Sequence, residues 1–173
     1  MLNSRKEAYE FLNMLQAPEQ LILHVKLVGE AADILIEALE GFQCKLDFNF
    51  IRTGVAIHDI GKVVRHNEMF ELGSEHEPEG QKLLLKNGAS TKLARVCLSH
   101  ARWQEMECSI EELIIALSDK LWKGKRVEVL EQAVIDKIAE YLGHDKWDIF
   151  TSLDTVFENI AAEGHKRLQR SVS

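Results

Sequence analysis

The chain has 173 residues, of which 46% are hydrophobic and 28% charged, and its formal net charge is −7. This length and balance are typical of a soluble globular domain with a sizeable core, and the longest apolar runs are too short to cross a bilayer. Because an acidic protein repels a polyanion, we expect neither a long nucleic acid nor a membrane as partner.

The predicted elements are helices from the N-terminus onward. Ser4 is a suitable cap for a first helix that runs to about residue 15. Pro18 suits the first turn of a second helix that runs to about residue 40. Apolar residues recur at helical spacing along this second helix: Leu21, Val25, Val28, Ala32, Leu35 and Leu39.

The third and fourth helices are predicted from their capping residues. Asp47 is expected to cap a third helix that extends through His58 and Asp59. Residues 61 to 73 follow without a helical pattern. Ser74, with Glu77 three residues later, predicts a capping box at the start of the fourth helix.

Two more helices are predicted before the C-terminal region. Ser90 marks the start of a fifth helix, which carries His100. Ser109 and Glu112 predict a capping box at the start of a sixth, which carries Asp119.

Two long helices complete the chain, separated near residues 143–145, and we expect the basic residues 165–170 to be a frayed end. The sequence therefore predicts an all-α fold, a single compact domain of seven or eight helices over residues 1–173. Its motif-bearing core spans about 18–126 and its C-terminal helices about 126–170.

The cysteines indicate a reducing compartment. Cys44, Cys97 and Cys108 are an odd set without the Cys-x-x-Cys spacing of a redox or zinc motif. Reduced cysteines of this kind are typical of cytosolic proteins, so we expect a cytoplasmic location.

Six side chains with nitrogen or oxygen donors lie in order on successive predicted elements, beside apolar residues that are expected to face the core. A buried imidazole next to a buried carboxylate is costly without a partner, and a metal ion binds both. The six candidate ligands are His24, His58, Asp59, His76, His100 and Asp119.

This pattern resembles the HD-domain family of metal-dependent phosphohydrolases. The matching segments contain His24, His58-Asp59-Ile-Gly-Lys62 and Asp119, and the resemblance covers roughly residues 20 to 126. His76 and His100 are placed like the extra histidines of members that hold two metal ions. That arrangement is similar to bacterial HD proteins that hydrolyse diadenosine tetraphosphate. One departure is Gln20, where some two-metal members carry Glu.

Imidazole and carboxylate ligands without thiolates suit Fe, Mn, Co, Ni or Zn, and we expect one or two such ions, with two favoured. With two ions, Asp59 bridges them because it has two oxygens. The remaining ligands then divide between the ions: His24, His58 and Asp119 for one, and His76 and His100 for the other. With one ion, His76 and His100 hold phosphate instead.

The resemblance implies hydrolysis of a phosphate ester or anhydride of a small substrate, expected to be a nucleotide, by attack of a metal-bound hydroxide. Asp59 and Lys62 are the candidate catalytic residues, and Lys62, Arg65 and Lys123 the candidate substrate-binding residues. Two alternatives stay open: a di-iron oxygenase on the same scaffold and a non-catalytic nucleotide-binding module. The C-terminal helices are candidates for pairing two subunits in a homodimer.

Overall fold

The computed structural model describes residues 2–172, and within that range every regular element is helical. Two short 3-10 turns, Ile60–Val63 and His66–Met69, lie between the third and fourth α-helices. The α-helices are α1 Arg5–Met14, α2 Glu19–Gly41, α3 Phe48–Ile57, α4 His76–Lys86, α5 Thr91–Ala94, α6 Val96–Arg102, α7 Ile110–Leu121, α8 Glu128–Leu142, α9 Lys146–Ala162 and α10 Gly164–Ser171.

The prediction of an all-α fold is confirmed, and the number of helices agrees with it once two breaks are taken into account. Helices α5 and α6 are separated only by Arg95, and α9 and α10 only by Glu163. If each pair is taken as one bent helix, the described residues form eight.

Local side-chain capping explains the start of five of the ten α-helices described. The side chains of Ser4, Asp47, Ser90 and Asp145 each accept a hydrogen bond from a backbone N–H in the first turn of the following helix. Ser109 forms the predicted capping box at the start of α7.

The predicted cap of the fourth helix was wrong. Helix α4 begins at His76, and Ser74 makes no side-chain cap; its backbone carbonyl accepts from Glu77 instead. The buried carboxylate of Glu68, in the second 3-10 turn, accepts the backbone N–H groups of Glu75 and His76. A residue eight positions upstream therefore satisfies the donors that a local cap would otherwise take.

Helix α2 lies at the centre of the fold. Its six predicted core residues are all buried, so the helical spacing read from the sequence is confirmed. Helix α2 packs against α3 and α7 on one side and against α9 and α10 on another. This packing brings α10, near the C-terminal end of the described residues, against the helix that carries His24.

The predicted C-terminal helices are present, but the expectation of a frayed end was wrong. Residues 164–171 form α10, which packs against α2 and α9. Its Arg167 side chain is only 6% exposed, because it reaches inward to backbone carbonyls. Among the helices described, none is long and apolar enough to cross a membrane.

Candidate metal centre

His58 and Asp59 lie at the junction between α3 and the first 3-10 turn. We expected both on the third helix, but α3 ends at Ile57, with His58 at its C-cap and Asp59 in the turn that follows. Both side chains are buried, at 0% and 3% exposure. The chain bends here because Lys62 N–H bonds back to the Asp59 carbonyl over three residues instead of continuing the α-helix.

Gly61 allows this turn to lie directly against α4. A Cβ atom at Gly61 would be 1.8 Å from the backbone oxygen of His76 and 2.7 Å from the backbone nitrogen of Gly80. No other residue type fits such a contact without moving backbone. The glycine therefore fixes the distance between Asp59 and the first residue of α4, which is His76.

One oxygen of Asp59 faces side chains from α2 and α3. Asp59 Oδ2 is 3.1 Å from His24 Nε2 and 3.6 Å from His58 Nε2. Asp119, near the end of α7, completes this side: its Oδ1 is 3.2 Å from His58 Nε2 and 3.7 Å from His24 Nε2. Three helices thus contribute one donor each beside Asp59 Oδ2.

The other oxygen faces a different pair of histidines. Asp59 Oδ1 is 3.2 Å from Nε2 of His76, at the start of α4, and 3.3 Å from Nε2 of His100, on α6. Both rings are buried. The five other candidate ligands, which come from positions 24 to 119 of the sequence, therefore cluster around the Asp59 carboxylate.

The histidine rings are oriented by their second nitrogen atoms. His58 Nδ1 lies 2.7 Å from the Val55 carbonyl, and His100 Nδ1 lies 3.1 Å from the Val96 carbonyl. A carbonyl only accepts, so both Nδ1 atoms carry the proton when the rings are neutral. Each Nε2 then has a free lone pair directed at the cluster, as a metal ligand requires.

Glu68 gives the same orientation to His76, and the sequence analysis missed it. Its Oε2 lies 2.5 Å from His76 Nδ1, while the same carboxylate accepts the backbone N–H of His76. A carboxylate behind a histidine ring is a common support for metal ligands. A lone glutamate in an irregular stretch gave no signal by which the sequence could identify it.

The arrangement fits one or more cations. His24 Nε2 and Asp59 Oδ1 are buried and have no hydrogen-bond partner among the described residues, although oxygens and nitrogens lie close by. Ligands about 2.0–2.2 Å from a shared ion are about 3–3.5 Å from one another, which is the separation seen here. Three overlapping groups each bring three donor atoms within 4.8 Å: His24, His58 and Asp59; His58, His100 and Asp119; and Asp59, His76 and His100.

The charges in the cluster favour a divalent cation. Burial opposes ionisation of Asp59 and Asp119, but the adjacent imidazoles outweigh it and hold the pKa of both carboxyls below its usual range. Burial likewise lowers the pKa of His58, but these two carboxylates outweigh it and raise that pKa to about 9. In the metal-free protein a proton on His58 therefore supplies charge that a cation can replace.

A cavity of about 410 Å³ adjoins the cluster, and His24 and Lys62 line it together with residues from the start of α2 and the end of α10. Lys62 Nζ lies 2.8 Å from Asp59 Oδ2, so this ammonium group is held between the cavity and the carboxylate. The side of the cluster that contains His24 is therefore the side that faces the cavity. Its other lining residues are Gln20, Leu21, Met69, Phe70, Trp122, Ser171 and Val172.

The two other predicted substrate-binding residues lie outside the lining of this cavity. Arg65 is exposed and lies 3.9 Å from Glu79 of α4. Lys123 is exposed just after the end of α7. Lys120, which the sequence analysis did not single out, lies beside the cluster, with its Nζ 4.0 Å from Asp119 Oδ2.

Comparison with known proteins supports the family resemblance that the six candidate metal ligands suggested. The family model described as "HD domain" matches residues 21–122. A curated relative, the uncharacterized protein MJ0778 of Methanocaldococcus jannaschii, is 30% identical over 141 residues, which are 72% of this chain and 79% of the relative. No solved structure matches the chain.

Proposed function

The chain belongs to the HD-domain family, whose members are of the metal-dependent phosphohydrolase type, and we propose that it hydrolyses a phosphate ester or anhydride of a small substrate. The observation that carries the proposal is the division of donors around Asp59. One of its oxygens faces His24 and His58, and the other faces His76 and His100. A carboxylate so placed is suited to bridge two ions.

In this proposal, His24, His58 and Asp119 would hold one divalent transition-metal ion, His76 and His100 would hold the other, and Asp59 would be a ligand of both. When bound, the ions supply activation of the attacking water and neutralisation of phosphate charge. The chain's own residues orient the donors: the Val55 and Val96 carbonyls fix two rings, and Glu68 fixes a third.

Lys62 is proposed to bind the phosphate. Its ammonium group lines the cavity and lies against Asp59, so a phosphate that enters beside His24 meets a positive charge. The Lys62 ammonium group favours hydrolysis over the oxygenase alternative, because a positive charge in the cavity stabilises the binding of an anionic substrate. A nucleotide is the proposed substrate, and the cytoplasm the proposed location, in keeping with three free, buried cysteines.

The test is a panel of phosphomonoesters and dinucleoside polyphosphates, assayed with protein reloaded separately with Fe, Mn, Co, Ni and Zn. The wild-type chain should release phosphate in a metal-dependent manner and contain two ions per chain. The double variant His58→Ala, Asp59→Ala should lose both properties. A matched control is His144→Ala, since His144 is exposed and remote in the chain from the cluster.

Three outcomes would contradict the proposal. Phosphate release that survives in the double variant must come from another site or a contaminant. Oxygen consumption by the iron-loaded protein without phosphate release would favour the oxygenase. A chain that binds no metal and remains inactive after reloading would favour the non-catalytic module.

A further inference from the structure

One wall of the cavity comes from the C-terminal end of the described chain. Ser171 and Val172 line it beside Gln20 of α2. The same three residues also line an adjoining depression of about 520 Å³, which continues away from the cluster. The end of α10 therefore lies between the cavity and the surface beyond it.

This wall is anchored from within α10. The buried side chain of Arg167 donates hydrogen bonds from Nη1 to the carbonyl of Ile160, at 2.8 Å, and to the carbonyl of Trp122, at 3.3 Å. Trp122 is itself a lining residue of the cavity. The guanidinium group of Arg167 therefore connects α10 to Trp122, which forms another wall of the same cavity.

A second anchor joins α10 to the helix that carries His24. Arg170 donates two hydrogen bonds to the carboxylate of Glu30 on α2, at 2.8 and 2.6 Å. The paired geometry of guanidinium and carboxylate fixes direction as well as distance. Ser171 and Val172 follow directly, so their position relative to α2 is set by this pair.

The start of α10 is held by contact between two backbones. A Cβ atom at Gly164 would lie 2.1 Å from the backbone nitrogen of Gly124, in the loop after α7. Only glycine permits this approach. Helix α10 is thus fixed at its start, middle and end, and two of these contacts lead to the segment that follows Asp119.

The cavity is divided in its chemistry. His24 and Lys62 form its polar end, whereas Leu21, Met69, Phe70, Trp122 and Val172 provide apolar surface. Its volume lies in the range of about 300–1,000 Å³ that small-molecule sites occupy. Val172 is 86% exposed, so a bound organic group would cover apolar surface that otherwise faces water.

We propose that Ser171 and Val172 form a specificity-determining wall, which limits the size of the organic group attached to the phosphate. The phosphate lies at the Lys62 end, and the organic group lies against Trp122 and Val172. The proposal rests on the proposed function of the same site. Helix α10 contributes no ligand or proton to the hydrolysis; it selects among esters.

Two variants test the proposal: the first adds bulk to this wall, and the second removes it. Val172→Trp should raise KM for nucleoside monophosphates by about tenfold while kcat stays unchanged, since the added ring occupies space that the organic group needs. KM for ethyl phosphate, whose organic group is small, should not change. The matched control is Gln169→Trp, an exposed position on the same helix outside the cavity lining, which should behave as wild type.

A chain shortened after Arg170 tests the opposite direction and keeps both arginine anchors. It should accept esters with larger organic groups, with relative kcat/KM for these esters increased about tenfold over that for ethyl phosphate. Acrylamide quenching of Trp122, measured with Trp103→Phe and Trp147→Phe in both the full-length and shortened chains, should increase on shortening because one neighbouring wall is gone. Circular dichroism checks that each variant is folded.

The possible failures are distinguishable. If the wild-type chain hydrolyses esters but both variants keep its selectivity, the specificity-determining role of Ser171 and Val172 is wrong, whereas the proposed function stands. Equal changes for ethyl phosphate and nucleoside monophosphates would also overturn the wall, because they indicate a general disturbance of the site. A wild-type chain inactive on every ester overturns the proposed function and this inference with it.

Discussion

The two sides of Asp59 differ in charge and in access. The Oδ2 side contains a second carboxylate, Asp119, and the ammonium group of Lys62, and it adjoins the cavity. The Oδ1 side contains two imidazoles, His76 and His100, and neither lines the cavity. One carboxylate thus joins an accessible, more highly charged half-site to an enclosed one.

The two sides of Asp59 depend on different residues for their affinity for a cation. The Oδ2 side gains its cation affinity from Asp119, whose negative charge acts directly. The Oδ1 side has no carboxylate besides Asp59 among its donors, and depends on Glu68, which orients His76 from behind. We therefore expect the Oδ1 side to bind its ion more weakly and to be more sensitive to changes outside its donor atoms.

The largest effect should come from removing the charge that both sides share. Asp59→Asn should remove both ions and lower kcat about a thousandfold, since several kcal/mol of charge stabilisation are lost. Asp119→Asn should remove only the ion on the Oδ2 side. For both variants, metal content is measured by mass spectrometry and activity by phosphate release. Equal losses of metal and activity in the two variants would contradict the division of the site into an Oδ1 side and an Oδ2 side.

A change at Gly61 should increase the distance between Asp59 and the histidines on its Oδ1 side. Gly61→Ala places a methyl group against the His76 carbonyl, which we expect to cost about 3 kcal/mol and lower Tm by about 6–12 °C. Asp59 should move away from His76, so the Oδ1-side ion should be lost first. Calorimetry and metal content test this.

Gly41→Ala is the control for that change. A Cβ atom at Gly41 meets no atom within 4 Å, and its backbone is helical. The free energy of unfolding should stay the same or rise slightly. A comparable loss of stability in both variants would contradict the role assigned to the Gly61 contact.

Removing the carboxylate that orients His76 should weaken metal binding on the Oδ1 side of Asp59 and leave the ion on the Oδ2 side bound. Glu68→Gln should lower metal affinity on the Oδ1 side about 10- to 100-fold, because the ring loses its charged acceptor. Affinity on the Oδ2 side should not change. Titration with a competing chelator measures both affinities, and Glu71→Gln, an exposed neighbour, is the control.

The smallest effect, counted for a change of one pH unit, concerns the proton on His58. Below pH 9 the metal-free protein holds a proton on His58, whose pKa is raised to about 9, and this proton must leave before Nε2 can bind a cation. Metal affinity on the Oδ2 side should therefore rise about tenfold per pH unit up to pH 9 and then level off. Calorimetry in buffers of different ionisation enthalpy should record the released proton; no release would contradict a protonated His58.

Two identical sequence patterns show what local information can predict. Ser109 and Glu112 form the predicted capping box, although the Glu112 carboxylate also accepts a hydrogen bond from Arg95 Nε at 3.0 Å. Ser74 and Glu77 have the same spacing but form none, because Glu68 accepts the backbone N–H groups of Glu75 and His76 and α4 begins only at His76. A local capping pattern holds where no distant residue takes the backbone donors at the start of the helix.

Most of the helices and all six donor residues could be read from the sequence alone, because helical spacing and the chemistry of imidazole and carboxylate are local properties. The tertiary structure alone decided which nitrogen faces which oxygen of Asp59, since these contacts join α2, α4, α6 and α7. It also placed Glu68 behind His76 and brought α10 to the cavity. Such long-range contacts depend on how whole helices pack, which no short stretch of sequence specifies.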